Sequence, residues 1–325
     1  MALPDHLVAI ARETKTLIPT ILSELPVDTT PSSFHQLSDV PKLDSKDCPG
    51  YTAPGATQPG TRIRVYDQDT FDAALELTPV YTFESLYGIP STSPPNPEPS
   101  TSTKTTTLHE EVSDKAKDQS PSTPKPPLIL NLASDQLPGG GWLSGALAQE
   151  EALCYRSTLS TTLPLSHYPL PPTAAIYSPT VLLFRHSLSI GHTLFYPRTP
   201  APSLPLLSIL TLPALRRPML ASMGVYAYPS DRDTMRNKIR LLLRISALHG
   251  HRKLVLGALG CGAYGNPVEE VAQLFKEVFG EKEFKGGWWE DVVFAVKDNR
   301  TGEGGGKQGF GNYGVFWRAL GGLLV

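Results

Sequence analysis

The sequence predicts an α/β domain in which strands and helices alternate around one layered core, with helices on both faces of a sheet. Three observations carry this. Leu128-Ile129-Leu130-Asn131-Leu132-Ala133 is a near-continuous apolar run, the pattern of a strand buried on both faces. From residue 128 onward, further apolar runs alternate with helical stretches. Two glycine-rich segments, 139–141 and 260–265, each stand between a strand and a helix.

Taken in order, the chain opens on a helix. Leu7, Ile10, Thr14, Leu17, Ile21 and Leu25 recur at helical spacing, Asp5 can cap the start, and Pro19 should kink or divide it. Residues 26–60, rich in Pro, Gly, Ser, Thr and Asp, read as an irregular connection. A short strand over 61–66 and a short helix opened by Asp69 or Thr70, running to Leu77, come next. In 91–107, 14 of 17 residues are Ser, Thr or Pro, and no apolar period appears before Pro127. Such a stretch cannot bury enough surface to offset its ordering entropy. The expected organisation is an N-terminal helix, strand and irregular segment packing on the core (1–87), a disordered Ser/Thr/Pro-rich insert (88–127) and a catalytic core (128–325).

Within that core a helix is expected over 144–160 and strands over 175–177, 181–184 and 206–212. Asp231 or Asp233 can cap a long amphipathic helix carrying Ile239, Leu242, Leu243 and Ala247, with Gly250 as its stop. A strand over 253–259 leads to a helix with Asn266 as cap, Pro267 first, Glu269 third and Gly280 beyond its end. A last strand covers 291–296.

Composition excludes several function classes. The 29 Lys+Arg against 31 Asp+Glu give a net charge of −2, which does not suit neutralisation of a nucleic-acid duplex. The 32 prolines, about twice the usual share, indicate that part of the chain is unstructured. Cys48, Cys154 and Cys261 form no CxxC and are odd in number, so free thiols in a reducing compartment are expected. The first residues lack a secretory pattern and no apolar stretch reaches membrane-spanning length. The expectation is an intracellular, monomeric protein of nucleus or cytoplasm with no membrane or duplex partner.

Three features carry chemistry. Gly139-Gly140-Gly141, before Trp142-Leu143-Ser144-Gly145, lets backbone approach a ligand, and amides at the following helix start suit a phosphate. A bare turn would need only one or two glycines. Gly260-Cys261-Gly262-Ala263-Tyr264-Gly265 satisfies G-x-G-x-x-G, but the acidic residue that could hold a dinucleotide ribose, Asp298, lies 33 residues past Gly265 instead of about 20. No Gly-Lys-Ser/Thr follows, so a Walker loop fails too. Two phosphate-cradling loops, one for each end of a diphosphate, remain. The third feature is Gln149-Glu150-Glu151. Neighbouring helix positions diverge by roughly 100°, so these carboxyls cannot oppose each other as in most glycosidases. A Glu-Glu pair on a helix is ordinarily solvated. Its place just below a ligand-binding loop points instead into a cleft.

These residues resemble a known family. Leu130-Asn131-Leu132-Ala133-Ser134, then Pro138 through Leu153 with the triple glycine and Gln149-Glu150-Glu151, is similar to the signature of microbial-type poly(ADP-ribose) glycohydrolases. Gly250 through Pro267 resembles that family's second loop, and the likeness covers nearly the whole chain outside the insert. The resemblance implies a macrodomain-like three-layer α/β/α fold with a central mixed sheet. It implies Glu151 as catalytic glutamate and Glu150 as its neighbour on ribose hydroxyls. It also implies substrate binding by Ser134, Gly139, Gly140, Gly141, Gln149, Gly260, Cys261, Gly262, Ala263, Tyr264, Gly265 and Asn266, with Tyr264 against the ribose at the scissile end. The family often has Phe at that position, and many macrodomains carry Asn where Ser134 stands. The implied substrates are poly(ADP-ribose) and ADP-ribosylated proteins, and the product is ADP-ribose.

The chemistry suits that assignment. Breaking a ribosidic bond passes through an oxocarbenium-like state, so the leaving oxygen needs a proton and the ribose then needs an activated water. A shielded glutamic acid beside a diphosphate has the raised pKa to supply that proton, and the diphosphate stabilises the developing positive charge. No HExxH and no clustered histidines occur, so hydrolysis without metal or cofactor is expected. Cys261 reads as a small packed residue before it reads as a nucleophile. His249 and His251 read as structural, and Trp288 and Trp289 as packing. Two other classes compete: an ADP-ribose reader, which needs the loops but no glutamate pair, and an NAD-dependent oxidoreductase using 260–265.

Deleting residues 91–124 leaves melting temperature and hydrolysis largely intact. A loss of several degrees in a thermal scan would show instead that the segment docks on the domain.

Overall fold

Alternation along β3 (Leu128–Ala133) sends Leu128 and Leu130 into one apolar cluster and Ile129 into another, so this strand lies in the middle of three layers. The computed structural model describes residues 3–88, 124–222 and 224–325. Among the described residues, seven strands form one mixed sheet. They are β1 (Ser33–Gln36), β2 (Arg64–Tyr66), β3, β4 (Ala174–Leu182), β5 (Leu206–Pro213), β6 (Lys253–Leu256) and β7 (Asp291–Ala295). Their order is β1-β4-β5-β3-β6-β7-β2. β5, β3, β6, β7 and β2 run parallel, while β4 and β1 are antiparallel additions at one edge.

Helices cover both faces. α5 (Pro229–Leu248), α6 (Val268–Phe279) and α7 (Asn312–Leu320) press Ile239, Leu242, Leu274, Phe275 and Phe316 onto one. α1 (Leu3–Ser23), α2 (Thr70–Leu75) and α4 (Gln149–Arg156) press Leu7, Phe71, Leu153 and Tyr155 onto the other. The three-layer α/β/α expectation holds.

Several boundaries move, each for a physical reason. α1 runs unbroken through Pro19, which lies on the exposed face, where water can serve the carbonyl of Lys15 that the ring leaves without its amide. Asp5 sits in its first turn and is not its cap. β1 lies inside the stretch expected to be irregular. It is a four-residue edge strand without apolar alternation, specified by its partner β4. The two strands expected around 175–184 are one, β4, with its register shifting between Ser178 and Val181, where Pro179 lacks an amide. α3 (Phe83–Tyr87), capped by Thr82, and α7, which contains Gly314, had no strong pattern to announce them. α5 starts at Pro229, earlier than either aspartate, because proline suits a first helical position.

α4 is the correction that matters for function. The helix expected over 144–160 splits into a single 3-10 turn (Trp142–Ser144), a connection, and α4 itself. Glu150 and Glu151 therefore lie in the first turn of α4. Two side chains fix α4 against α2. Arg156, buried at its C-terminus, reaches Asp69 and Asp72 at 2.5 and 2.7 Å, and Gln149 at its N-terminus reaches the Thr70 hydroxyl at 3.3 Å. The Thr14 hydroxyl of α1 donates to the Tyr155 carbonyl at 2.8 Å. The elements before residue 88 thus brace the helix that carries the glutamates.

Residues 89–123 of the expected insert lie outside the described residues. Its last residues are part of the packed domain: the Pro126 and Pro127 carbonyls accept from His251 Nδ1 (2.9 Å) and the Ser208 amide (3.1 Å).

Candidate active site

The loops after β3, β5 and β6 gather at the C-terminal ends of parallel strands, the edge at which open α/β sheets bind ligands. Alternation along β3 places Asn131 on the same face as Ile129, toward α4. There it meets Glu150.

Both glutamates are buried, Glu150 at 3% exposure and Glu151 at 9%, so neither lies on a solvated helix face. Backbone amides make this possible. Gly141 N–H donates to Glu151 Oε1 at 2.9 Å, and Ala148 N–H donates to Oε2 at 3.0 Å. Ser134 N–H donates to Glu150 Oε2 at 2.7 Å, and Asn131 Nδ2 donates to Oε1 at 3.2 Å. Burial, reinforced by the charge of Glu151, pushes the Glu150 carboxyl up to about 8 despite these donors. The resemblance placed the shielded proton donor at Glu151; the carboxyl that burial raises is that of its neighbour, Glu150.

The triple glycine is shaped by the protein as much as for a ligand. A Cβ on Gly140, whose φ is +58°, would overlap the Glu151 carboxylate, and one on Gly139 would press on Trp142 and Cys154. Gly140 N–H closes a turn on the Leu137 carbonyl at 3.0 Å. The first loop therefore spends amides on the glutamates and on itself. Gln149 is likewise engaged within the fold. Its Oε1 accepts from Leu132 N–H and its Nε2 donates to the Leu130 carbonyl, both at 2.8 Å, where β3 has run past its pairing with β6. The Ser134 hydroxyl accepts from the amides of Gln136 and Leu137 at 3.1 and 3.2 Å.

The second loop is different. Cys261, Gly265 and Asn266 amides close turns within it, whereas the amides of Gly262, Ala263 and Tyr264 have no protein acceptor among the described residues. Gly262 and Ala263 are exposed, and a Cβ on Gly262 would meet nothing within 4 Å. Consecutive outward amides form a nest for an anion. Asn266 does not cap α6, which begins at Val268 after Pro267. Its buried amide instead staples the loop. Nδ2 reaches the carbonyls of Leu215 (2.6 Å) and Gly260 (3.2 Å), and Oδ1 accepts from Tyr226 (2.9 Å). Gly260 is structural, since a Cβ there would overlap Ala214 and Asn266.

Tyr264 joins the two loops. Its hydroxyl donates to Asp135 Oδ1 at 2.7 Å and accepts from Asp135 N–H at 3.1 Å, while the Arg216 guanidinium lies 5.9 Å from its ring centroid. Burial alone would raise the Asp135 carboxyl, but the Tyr264 and Gln136 donors, with the Arg216 charge, hold it below its ordinary value. Burial pushes the Cys261 thiol up, the opposite of what a nucleophile needs. His251 bonds Tyr177 and the Pro126 carbonyl, His249 stacks on Tyr177, and Trp289 is fully buried, all structural as expected.

The sequence reading missed three contributors. Asn131 carried a signal, a polar residue in a strand buried on both faces. Arg216 and Phe310 carried none. Phe310 is 82% exposed, two residues before Asn312, whose Nδ2 reaches the Cys261 carbonyl at 3.4 Å.

Residues 55–186, which hold the triple glycine and both glutamates, match the family model for the microbial-type PARG catalytic domain. The fold is similar to that of poly(ADP-ribose) glycohydrolase from Thermomonospora curvata, with a TM-score of 0.64 and 24% identity over 96% of this chain and 98% of that one. It is also similar to the Deinococcus radiodurans enzyme in complex with ADP-ribose. One such structure gives 0.59 and 23% identity over 93% and 96% of the two chains, and another 0.53 and 27% over 81% and 86%. No curated protein sequence matches the chain. The resemblance read from the motifs is borne out.

Glu150 yields a stability prediction. Its folded value of about 8 lies above the ordinary 4.5, so the folded state binds more protons between those values and stability falls as pH rises through that window. Glu150→Gln removes the penalty. Its Tm should decline less than the parent's from about pH 5 to pH 8 and exceed it at the upper end. Parallel melting profiles would mean that Glu150 is not held protonated.

Proposed function

We propose that this protein hydrolyses the ribose glycosidic bond of poly(ADP-ribose) and releases ADP-ribose. The observation that carries this is the buried glutamate pair, braced by backbone amides directly beside an outward-facing amide nest. A reader of ADP-ribose would need the nest. It would not need two adjacent carboxyls kept from water at a cost in stability.

The diphosphate lies on the amides of Gly262, Ala263 and Tyr264, and the ribose at the scissile end lies against the Tyr264 ring. Phe310 offers its exposed face to adenine. Glu151, its carboxyl oriented by Gly141 and Ala148, gives a proton to the leaving hydroxyl oxygen as the bond to C1″ breaks. The same two amides stabilise the carboxylate that results. That carboxylate takes a proton from water as the water oxygen attacks C1″, which restores the acid. Positive charge on the ribose is met by the diphosphate. Glu150, neutral near pH 7, hydrogen-bonds ribose hydroxyls without adding a second charge to repel the diphosphate.

Glu151→Gln keeps shape and one of the two backbone amide contacts, since its NH2 cannot accept the other, and removes the transferable proton. Release of ADP-ribose from polymer should fall by at least ~10²-fold, the contribution of a positioned general acid, with affinity for ADP-ribose little changed. Glu150→Gln reproduces a neutral carboxyl, so it should cost less rate and disturb affinity more. Full activity in both variants would end the mechanism, and a dead Glu150→Gln beside an active Glu151→Gln would exchange the roles.

Gly262→Val meets open space in the protein, so Tm should hold while ADP-ribose affinity, followed by calorimetry, drops. Unchanged affinity would place the diphosphate elsewhere.

A further inference from the structure

The loop after β5 brings two cations to the mouth of this cleft. Arg216 and Arg217 are both exposed, and neither forms an ion pair among the described residues. Asp135 is the acidic neighbour of Arg216, but its two oxygens already accept from the Tyr264 hydroxyl and the Gln136 amide. Arg217 has φ of +49°, the left-handed region that a non-glycine residue enters under strain. Its amide donates to the Tyr264 carbonyl at 2.8 Å, and the Leu215 carbonyl accepts from Asn266, so the second loop holds the backbone in that state. A turn alone would be served without strain by Gly or Asn. Arginine there adds a second exposed cation, next in sequence to the one whose guanidinium lies against Tyr264.

The position has a chemical consequence. Every unit of poly(ADP-ribose) carries a diphosphate, and the amide nest of the second loop can hold only one. Chain continuing beyond the scissile ribose leaves past Tyr264, at the rim that these arginines occupy. Guanidinium groups bind phosphate oxygens through paired, charge-assisted hydrogen bonds. We propose that Arg216 and Arg217 form a subsite for the diphosphate of the ADP-ribose unit on the far side of the scissile bond, an inference that rests on the glycohydrolase reading. The cleft then reads a polymer and binds it more tightly than a single ADP-ribose.

The test measures equilibrium binding of poly(ADP-ribose) of defined length and of free ADP-ribose, in a Glu151→Gln background so that polymer stays intact. Arg217→Asn removes the charge with a residue that tolerates the left-handed backbone, and Arg217→Lys retains charge. Lys282→Ala/Lys285→Ala, an exposed pair elsewhere, controls for net charge. Arg217→Asn should raise the polymer Kd about tenfold, the scale of one lost hydrogen bond to a charged group, and make it less salt-dependent. The Kd for ADP-ribose should move by no more than about twofold, as for an ordinary surface charge. Arg217→Lys should recover part of the loss, and the lysine control should show none. An unchanged polymer Kd, or equal losses for polymer and ADP-ribose, would overturn the subsite. Failure of the parent protein to release ADP-ribose from polymer would sink the glycohydrolase reading, while the polymer-selective binding loss would still decide the subsite.

Discussion

Two neighbouring carboxyls on the first turn of a helix must leave water if they are to act in a cleft, and water is what they give up most dearly. The protein replaces it with backbone donors. Gly141 and Ala148 take Glu151, while Ser134 and the Asn131 side chain take Glu150. For those amides to arrive, the chain after β3 must fold back over the start of α4. That return brings Gly140 so close to the Glu151 carboxylate that no side chain fits between them. The triple glycine is thus first a consequence of burying the glutamates.

Holding a loop over a helix requires the helix to stay still. Gln149 grips β3 where β6 no longer pairs with it, Arg156 locks the far end of α4 to α2, and α1 touches both α4 and the first loop. The N-terminal elements, distant in sequence from the glycine loops, therefore support the site. Tyr264 extends the bracing to the second loop by bonding Asp135 in the first, and Arg216 closes over its ring. With the loops tied to each other in this way, the second loop is free to present its amides outward.

Much of the architecture was legible in the sequence. β3, β5 and β7 announced themselves as apolar runs, and the helical spacing of α5 and α6 was strong enough to show through. What failed to appear had weak local signals. β1 is four residues with no alternation, α7 carries a mid-helix glycine, and β4 is interrupted by a proline that it absorbs as a bulge. Each depends on a partner far along the chain. Of the site, the glutamates and both glycine loops could be read directly, while Asn131, the polar residue of a buried strand, was passed over although its signal was present.

The sequence alone determined the layered α/β class, the order of strand, glycine loop and helix, and the residue types at the site, because periodicity and glycine placement act over a few neighbouring positions. Only the tertiary structure decided how those residues are used. The helix start shifted to Gln149 since the first loop needed the intervening chain to wrap the carboxylates. The first loop's amides went to glutamate oxygens, leaving the second loop's amides outward. Asn266 became a staple in place of a cap, and burial fell hardest on Glu150. A hydrogen-bond partner or the loss of solvent is set by whatever the folded chain brings within about 3 Å, and sequence spacing does not encode that distance.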